Sequence, residues 1–185
     1  MLSSYKTEGI VIKRSNFSEV DKIITIFTRN HGKLKILAKG VRKIKSRRAP
    51  HIELFNYVRV FLHHGRNFDI LTEAESIETY GFMKKNLKKI TTAYYLSELV
   101  DDLCPEGQEH NNILFHLREE FRHLNSQNFT ALQKTIDDFS LMIITELGFL
   151  PKNQILIGQD LRLFIEQIIE KRLKTNQLLT RIQQK

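Results

Sequence analysis

The sequence predicts an α+β protein, with a small five-stranded barrel in residues 1–80 and an α-helical domain in residues 81–185. From Thr7 to Ser76, apolar residues recur with a period near two, which is typical of half-buried strands. After about Gly81 the apolar spacing changes to three and four, which is typical of amphipathic helices. The charge divides at the same place: residues through Glu75 include 15 Lys and Arg against 7 Asp and Glu, whereas the remainder carries 14 of each.

The front part of the chain is predicted to form five strands that close into a barrel. The fourth strand alternates clearly, with Val58, Val60 and Leu62 on a core face and Tyr57, Arg59 and Phe61 on the opposite face. Five short strands, a long third connection and no helical crossover are typical of the OB-fold. The predicted strands are Thr7–Lys13, Asp21–Arg29, Lys33–Ala38, Ile52–Leu62 and Phe68–Glu75.

The rear part of the chain is predicted to form a helical bundle. The apolar spacing of the longest predicted helix, Phe129–Leu147, is followed by Gly148 and Pro151, which supply a left-handed cap and a stop. Three further helices follow from the same spacing: Thr92–Leu103, Leu114–Leu124 and Leu161–Ile168.

Several function classes are excluded by composition and motifs. The longest apolar runs have four residues, far fewer than the roughly 20 of a membrane span, and we expect no membrane association. The N-terminus lacks the apolar stretch of a secretory signal, and the lone Cys104 cannot form an internal disulfide, so we expect a cytoplasmic protein. No glycine-rich loop has P-loop spacing, and Cys104 has no evident base partner. We therefore expect no catalytic site, no enzyme activity and no cofactor.

Two alternatives remain open at this point. His116, Glu120 and His123 lie on one helical stripe and could hold a metal ion in a metal-dependent nuclease, although surface histidines are the commoner outcome. The second alternative is that the barrel is an RNA-binding module. The acidic pairs on the predicted helices do not favour a metal site, because adjacent helical side chains point about 100° apart.

The positive indication of function is a concentration of basic residues after the third strand. Within Lys39–Arg48, six of ten residues are basic and none is acidic, a density that repels itself unless an anion compensates. A polyanion such as nucleic acid is the natural partner, and neutralising about six phosphates of a single strand predicts a slope near −4 in log K against log salt. Phe17, Phe55, Tyr57 and Phe61 are candidate stacking surfaces for bases. The candidate DNA-binding residues are Lys13, Arg14, Lys33, Lys35, Lys39, Arg42, Lys43, Lys45, Arg47, Arg48 and Arg66.

Short segments spread along the chain form a recognisable pattern. Those in the barrel are Thr7–Ile12, Phe17–Asp21, Ile26–Leu34, Ala38–Arg42, Lys45 with Ser46, and Gly65–Asn67 leading to Leu71–Glu75. Those in the helical part are Glu146–Pro151 and Phe164–Lys174. Together they resemble the RecO family of bacterial recombination mediators, specifically over the barrel and more loosely over the helical part.

The resemblance implies an N-terminal OB-fold, a helical C-terminal domain and a set of partners. Those partners are single- and double-stranded DNA, RecR and the C-terminal tail of single-stranded-DNA-binding protein. The implied activities are annealing of complementary strands and, with RecR, help in loading RecA onto coated DNA, at the nucleoid. Lys171, Arg172 and Lys174 are the candidates for contact with the acidic tail.

The chain departs from the family pattern in one feature. Many members carry a four-cysteine zinc module after the segment that corresponds to Leu147–Phe149. Here only about six residues separate Pro151 from Gly158, and no Cys follows Cys104. We therefore expect a helical domain without zinc.

Overall fold

The structure is a computed structural model that describes residues 4–175. Its front part is a closed barrel of five strands in the order β1-β2-β3-β5-β4. This is the predicted OB-fold, followed by helices as the α+β prediction required. The strands are β1 Ser4–Asn16, β2 Lys22–Thr28, β3 Gly32–Ala38, β4 Tyr57–His63 and β5 Asp69–Glu78.

One junction of the barrel is parallel, a feature that the strand pattern of the sequence did not indicate. The β3–β5 pair runs parallel, with Ile36 opposite Asp69, and the other four pairs are antiparallel. The reason is geometric: an odd number of strands cannot alternate in direction all the way around a ring, so closure requires one parallel contact.

The predicted fourth strand was wrong in its first half. β4 begins at Tyr57, and the residues before it form turns. Phe55 has a φ of 70°, and its N–H donates to the Val11 carbonyl at 2.8 Å, so the chain reverses direction there. Ile52 and Phe55, which would lie on opposite faces of one continuous strand, are both 1% exposed. The alternation of apolar residues therefore extends beyond the strand into a segment that is buried but folded as turns.

The barrel core consists of the aliphatic side chains that alternate along the strands. Val58, Val60 and Leu62 point inward as predicted and are fully buried, while Phe61 between them is partly exposed. The core cluster comprises Val11, Ile24, Ile26, Ile36, Ala38, Val41, Ile52, Val58, Val60, Leu62 and Leu71.

A ring cluster lies at one edge of the barrel. The ring of Tyr5 lies 4.6 Å from that of His31 and 4.8 Å from that of His64, between centroids. The Tyr5 hydroxyl donates a hydrogen bond to Asp69, whose other carboxylate oxygen lies 3.0 Å from His64 Nδ1. Burial and the Asp69 carboxylate raise the pKa of Tyr5, so the hydroxyl remains a donor at neutral pH.

The number of long helices agrees with the sequence prediction, but the residues at which they begin and end differ from it. Phe129 precedes α4, in a turn where its N–H donates to the Ser126 carbonyl at 3.3 Å, although its spacing to Leu132 resembles a helical repeat. Gly148 has a φ of 80°, as its predicted capping role requires. The helices of the described residues are α1 Gly81–Lys85, α2 Leu87–Leu103, α3 Asn111–Asn125, α4 Leu132–Glu146 and α5 Gly158–Ile168.

The chain divides into two compact units. The first contains the residues through Thr79 together with Cys104–Leu114, and the second contains Tyr80–Leu103 and the residues from Phe115 onward. In the second unit α2 packs against α4, and α4 contacts α5. Among the helices found between residues 4 and 175, none combines the length and apolar character needed to cross a bilayer.

Candidate nucleic-acid interface

The basic residues after β3 form a tightly turned loop, residues 39–48, which we call the basic loop. Two of its backbone hydrogen bonds close turns, from Lys43 N–H to Gly40 at 3.2 Å and from Ser46 N–H to Lys43 at 2.9 Å. The Arg48 guanidinium donates to the Leu71 carbonyl of β5 at 2.6 Å and to the Lys39 carbonyl at 2.7 Å. Arg48 therefore fixes the loop to the barrel, while the basic side chains at positions 39, 43, 45 and 47 are exposed.

A groove runs between the basic loop and β5. It has a volume of about 550 Å³, and Thr72, Glu73 and Ala74 form its β5 side. Such a groove suits an extended polyanion, because several phosphates can be neutralised in succession. Glu73 is the acidic residue on its rim. The loop side of the groove carries Lys43, Lys45, Arg47 and Arg48, of which the first three are exposed and Arg48 is half-buried.

His51 lies in the floor of the same groove and was not a sequence candidate. Its Nδ1 accepts the Ser76 backbone N–H at 3.1 Å, which assigns the ring proton of the neutral form to Nε2. A single histidine among basic residues carried no distinguishing pattern in the sequence.

The basic loop is also bound to the loop between β1 and β2. Arg42 donates from its backbone N–H to the Val20 carbonyl at 3.0 Å and from its guanidinium to the Ser18 carbonyl at 2.7 Å. Gly40 N–H donates to the Asp21 carboxylate at 2.7 Å. The two loops therefore form one connected surface.

Lys22 joins this surface, and the sequence reasoning missed it. Burial lowers the pKa of Lys22, and the positive charges of Arg14 and Arg42 lower it further, with Glu53 acting in the opposite direction. Three cations thus lie within electrostatic reach of one another. The signal that could have identified Lys22 is strand register, since it pairs across the β2–β3 hairpin with Ala38, immediately before the basic loop.

Two sequence candidates on β3 contact another segment of the first unit. Lys33 is 7% exposed, and its carbonyl accepts the Gly107 N–H at 3.1 Å. Lys35 forms an ion pair with Glu106. Residues Cys104–Leu114 occupy this side of the barrel, so we leave both lysines out of the proposed interface.

The remaining sequence candidates, Lys13, Arg14 and Arg66, differ in exposure. Arg14 is 18% exposed and forms an ion pair with Glu53. Lys13 is exposed on β1 opposite Thr25, and Arg66 is exposed in the turn between β4 and β5.

The candidate stacking residues divide by burial. Phe55 and Tyr57 are 1% and 4% exposed, so neither ring offers a face to a base. Phe61 is 38% exposed on the outer face of β4, and Phe17 is 54% exposed.

His116, Glu120, His123 and Cys104 were the sequence candidates for a metal site or a nucleophile. Between residues 4 and 175, no three His, Cys, Asp or Glu side chains come together as a metal-binding group. On the predicted His116 stripe, His123 Nδ1 lies 3.5 Å from the Glu120 carboxylate, one turn away on the same helix. Burial raises the pKa of the Cys104 thiol to about 12, so it is protonated and weakly nucleophilic at neutral pH.

Comparison with known proteins identifies relatives along most of the chain. Residues 1–80 match the family model for the N-terminal part of recombination protein O, and residues 84–154 match that for its C-terminal part. The chain is 34% identical over 147 residues to a protein of Pelotomaculum thermopropionicum, covering 80% of this chain and 56% of that one. It is 36% identical over 148 residues to a protein of Roseiflexus, covering 80% and 51%, and 45% identical over 154 residues to one of Bifidobacterium longum, covering 82% and 64%. All three are named DNA repair protein RecO.

Proposed function

The chain belongs to the recombination protein O family, and from this membership we propose that it is a recombination mediator in DNA repair. It binds single- and double-stranded DNA without sequence preference and anneals complementary strands. The observation that carries the proposal is the groove of about 550 Å³ whose loop side presents Lys43, Lys45, Arg47 and Arg48.

Phosphate contacts explain both the lack of sequence preference and the annealing. Lys and Arg attract the sugar-phosphate backbone and release its counterions, whatever the bases are. Neutralising two strands on one surface lowers their mutual repulsion and raises their local concentration, and base pairing then supplies the driving force. Since no covalent bond changes, the role requires no catalytic residue and no cofactor.

The protein partners form the second part of the proposal. RecR and the C-terminal tail of single-stranded-DNA-binding protein are the partners with which it helps to load RecA, at the nucleoid in the cytoplasm. Near the end of the described chain, Arg172 and Lys174 are exposed and suit an acidic tail, whereas Lys171 is bound to Asp102 at 2.6 Å. The chain spans about half to two thirds of the length of the curated relatives it matches, so each partner contact needs its own test.

An annealing assay tests the first part directly. Two labelled complementary strands are incubated with the protein in magnesium or manganese, and the products are separated by size. Paired full-length strands support the mediator, whereas shortened strands would identify a nuclease. Competition tests the RNA-binding alternative. The proposal requires that unlabelled RNA displace bound, labelled DNA less readily than unlabelled DNA of the same sequence does.

Co-purification tests the partner contacts. RecR and the single-stranded-DNA-binding protein of the same source are each captured on this chain, the latter with and without its terminal tail. The proposal expects both to be retained, with loss of the second on removal of the tail. Retention of the tailless protein would refute recruitment through the tail.

A further inference from the structure

The loop between β1 and β2 presents an aromatic ring to solvent and is closed by its own hydrogen bonds. Phe17 is 54% exposed. Its N–H donates to the Asp21 carbonyl at 3.1 Å, and the Asp21 N–H donates to the Ser18 hydroxyl at 3.2 Å, which closes the loop. An exposed phenyl ring on a closed loop has little conformational freedom to lose when it binds a flat partner.

A second ring supports the first from the turn between β4 and β5. The rings of Phe17 and Phe68 lie 6.2 Å apart at 76°, an edge-to-face pair. This turn requires glycine at position 65, because a Cβ on Gly65 would lie 2.1 Å from the Phe68 carbonyl oxygen. In such a pair the edge of one ring meets the face of the other, and exposed aromatic surface remains on Phe17.

Each of the two loops that carry this aromatic pair also has an arginine, either within it or bound to it. Arg42 donates to the Ser18 carbonyl, directly after Phe17, at 2.7 Å. Arg66 is exposed in the same turn as Phe68. Phosphate-binding groups and an aromatic surface together are what a single strand requires, since its bases stack on aromatic rings while its backbone follows positive charge.

We propose that Phe17 and Phe68 form a stacking site for unpaired bases, which makes the barrel bind single strands in preference to duplex. The inference rests on the proposed function and deepens it by naming the form of DNA that this surface prefers. In a duplex each base is already stacked and paired, so its face is not available to Phe17. The basic loop, by contrast, contacts phosphates in either form.

The test compares strands with and without bases. Binding of Phe17→Ala is measured by fluorescence anisotropy on a single strand, on an abasic strand of the same length and on the duplex. Phe82→Ala in α1 is the matched control, because Phe82 is also 54% exposed. We expect Phe17→Ala to weaken binding to the single strand about tenfold and to change the abasic strand and duplex less than about twofold. Phe82→Ala should leave all three unchanged.

Two further variants separate stacking from general apolar contact. Phe17→Leu retains apolar bulk but has no flat ring, so it should lose affinity as Phe17→Ala does. Phe17→Trp enlarges the ring and should restore or exceed the original affinity. If Phe17→Ala and Phe17→Trp both match the unsubstituted protein on the single strand, the stacking site is refuted while salt-dependent binding still stands. If the unsubstituted protein binds none of the three ligands, the proposed function fails as well.

Discussion

Removing the outward cations of the basic loop should reduce DNA affinity without unfolding the barrel. The informative variant is Lys39→Ala, Lys43→Ala, Lys45→Ala and Arg47→Ala together, because these four side chains are exposed. Arg48 is kept, since its guanidinium fixes the loop to β5 through two hydrogen bonds.

The expected magnitude follows from counterion release. Six cations of the loop, each neutralising one phosphate of a single strand, give a slope of about −4 in log K against log salt. Removing four of them leaves a slope of about −1. Because the two lines converge near molar salt, the variant should bind on the order of 500-fold more weakly at about 0.1 M salt.

The assay is anisotropy of labelled strands of unrelated sequence, measured from about 50 to 200 mM salt. A matched variant removes the same charge from the second unit, where all four lysines are also exposed: Lys85→Ala, Lys88→Ala, Lys152→Ala and Lys174→Ala. The reasoning predicts a large loss in slope for the loop variant only, equal for all sequences. It would be refuted if both variants lost the same slope, since net charge rather than the loop would then control binding, or if the loop variant lost affinity for one sequence alone.

Three further predictions concern stability and its relation to binding. Arg48→Ala should lower the free energy of unfolding by about 2 kcal/mol, because two hydrogen bonds from a charged donor are lost, whereas Arg47→Ala should leave the urea midpoint unchanged; equal midpoints would contradict the anchoring role. Lys22→Gln should reduce the magnitude of the salt slope of DNA binding by about 0.7. It should not lower the stability of the fold, since burial and neighbouring cations already lower the pKa of Lys22 and disfavour its charge. A clear drop in the thermal midpoint of unfolding would contradict this second expectation. Burial opposes ionisation of Asp69, but hydrogen bonds from Tyr5 and a histidine outweigh it and lower its pKa, so its contribution is present above about pH 4 and lost as pH falls through the folded value. In urea titrations, the free energy of unfolding of Asp69→Asn should therefore fall less between neutral and acid pH than that of the unsubstituted protein. Equal falls in both proteins would show that the Asp69 carboxylate does not contribute to the pH dependence.

Charge counting located the basic loop but could not assign each cation a role. Lys35 and Arg47 look equivalent in the sequence, yet Lys35 is paired with Glu106 and Arg47 lines an open groove. Arg59 is likewise held by Glu8 at 2.8 Å and by Glu75 at 3.0 Å. Each of these partners lies far away along the chain or on a neighbouring strand, where residue order alone does not locate it.

For the aromatic residues as well, the sequence identified candidates and tertiary packing decided which of them is exposed, as Phe17 shows. The sequence offered four candidate stacking rings of equal standing. Tertiary packing buries Phe55 and Tyr57 and leaves Phe17 exposed, and it brings Phe68 to within 6.2 Å of Phe17 from a turn about 50 residues away. Phe68 had no local pattern that distinguished it.

The sequence by itself determined the five strands, the long helices and the concentration of charge after β3, because periodicity and composition are local properties of the chain. Only the tertiary structure decided the parallel β3–β5 junction, the turns that replace the first half of the predicted fourth strand, and the contact that covers Lys33. Those features depend on ring closure and on contacts between distant segments. The free energy that selects them comes from burying surfaces that meet only once the chain has folded.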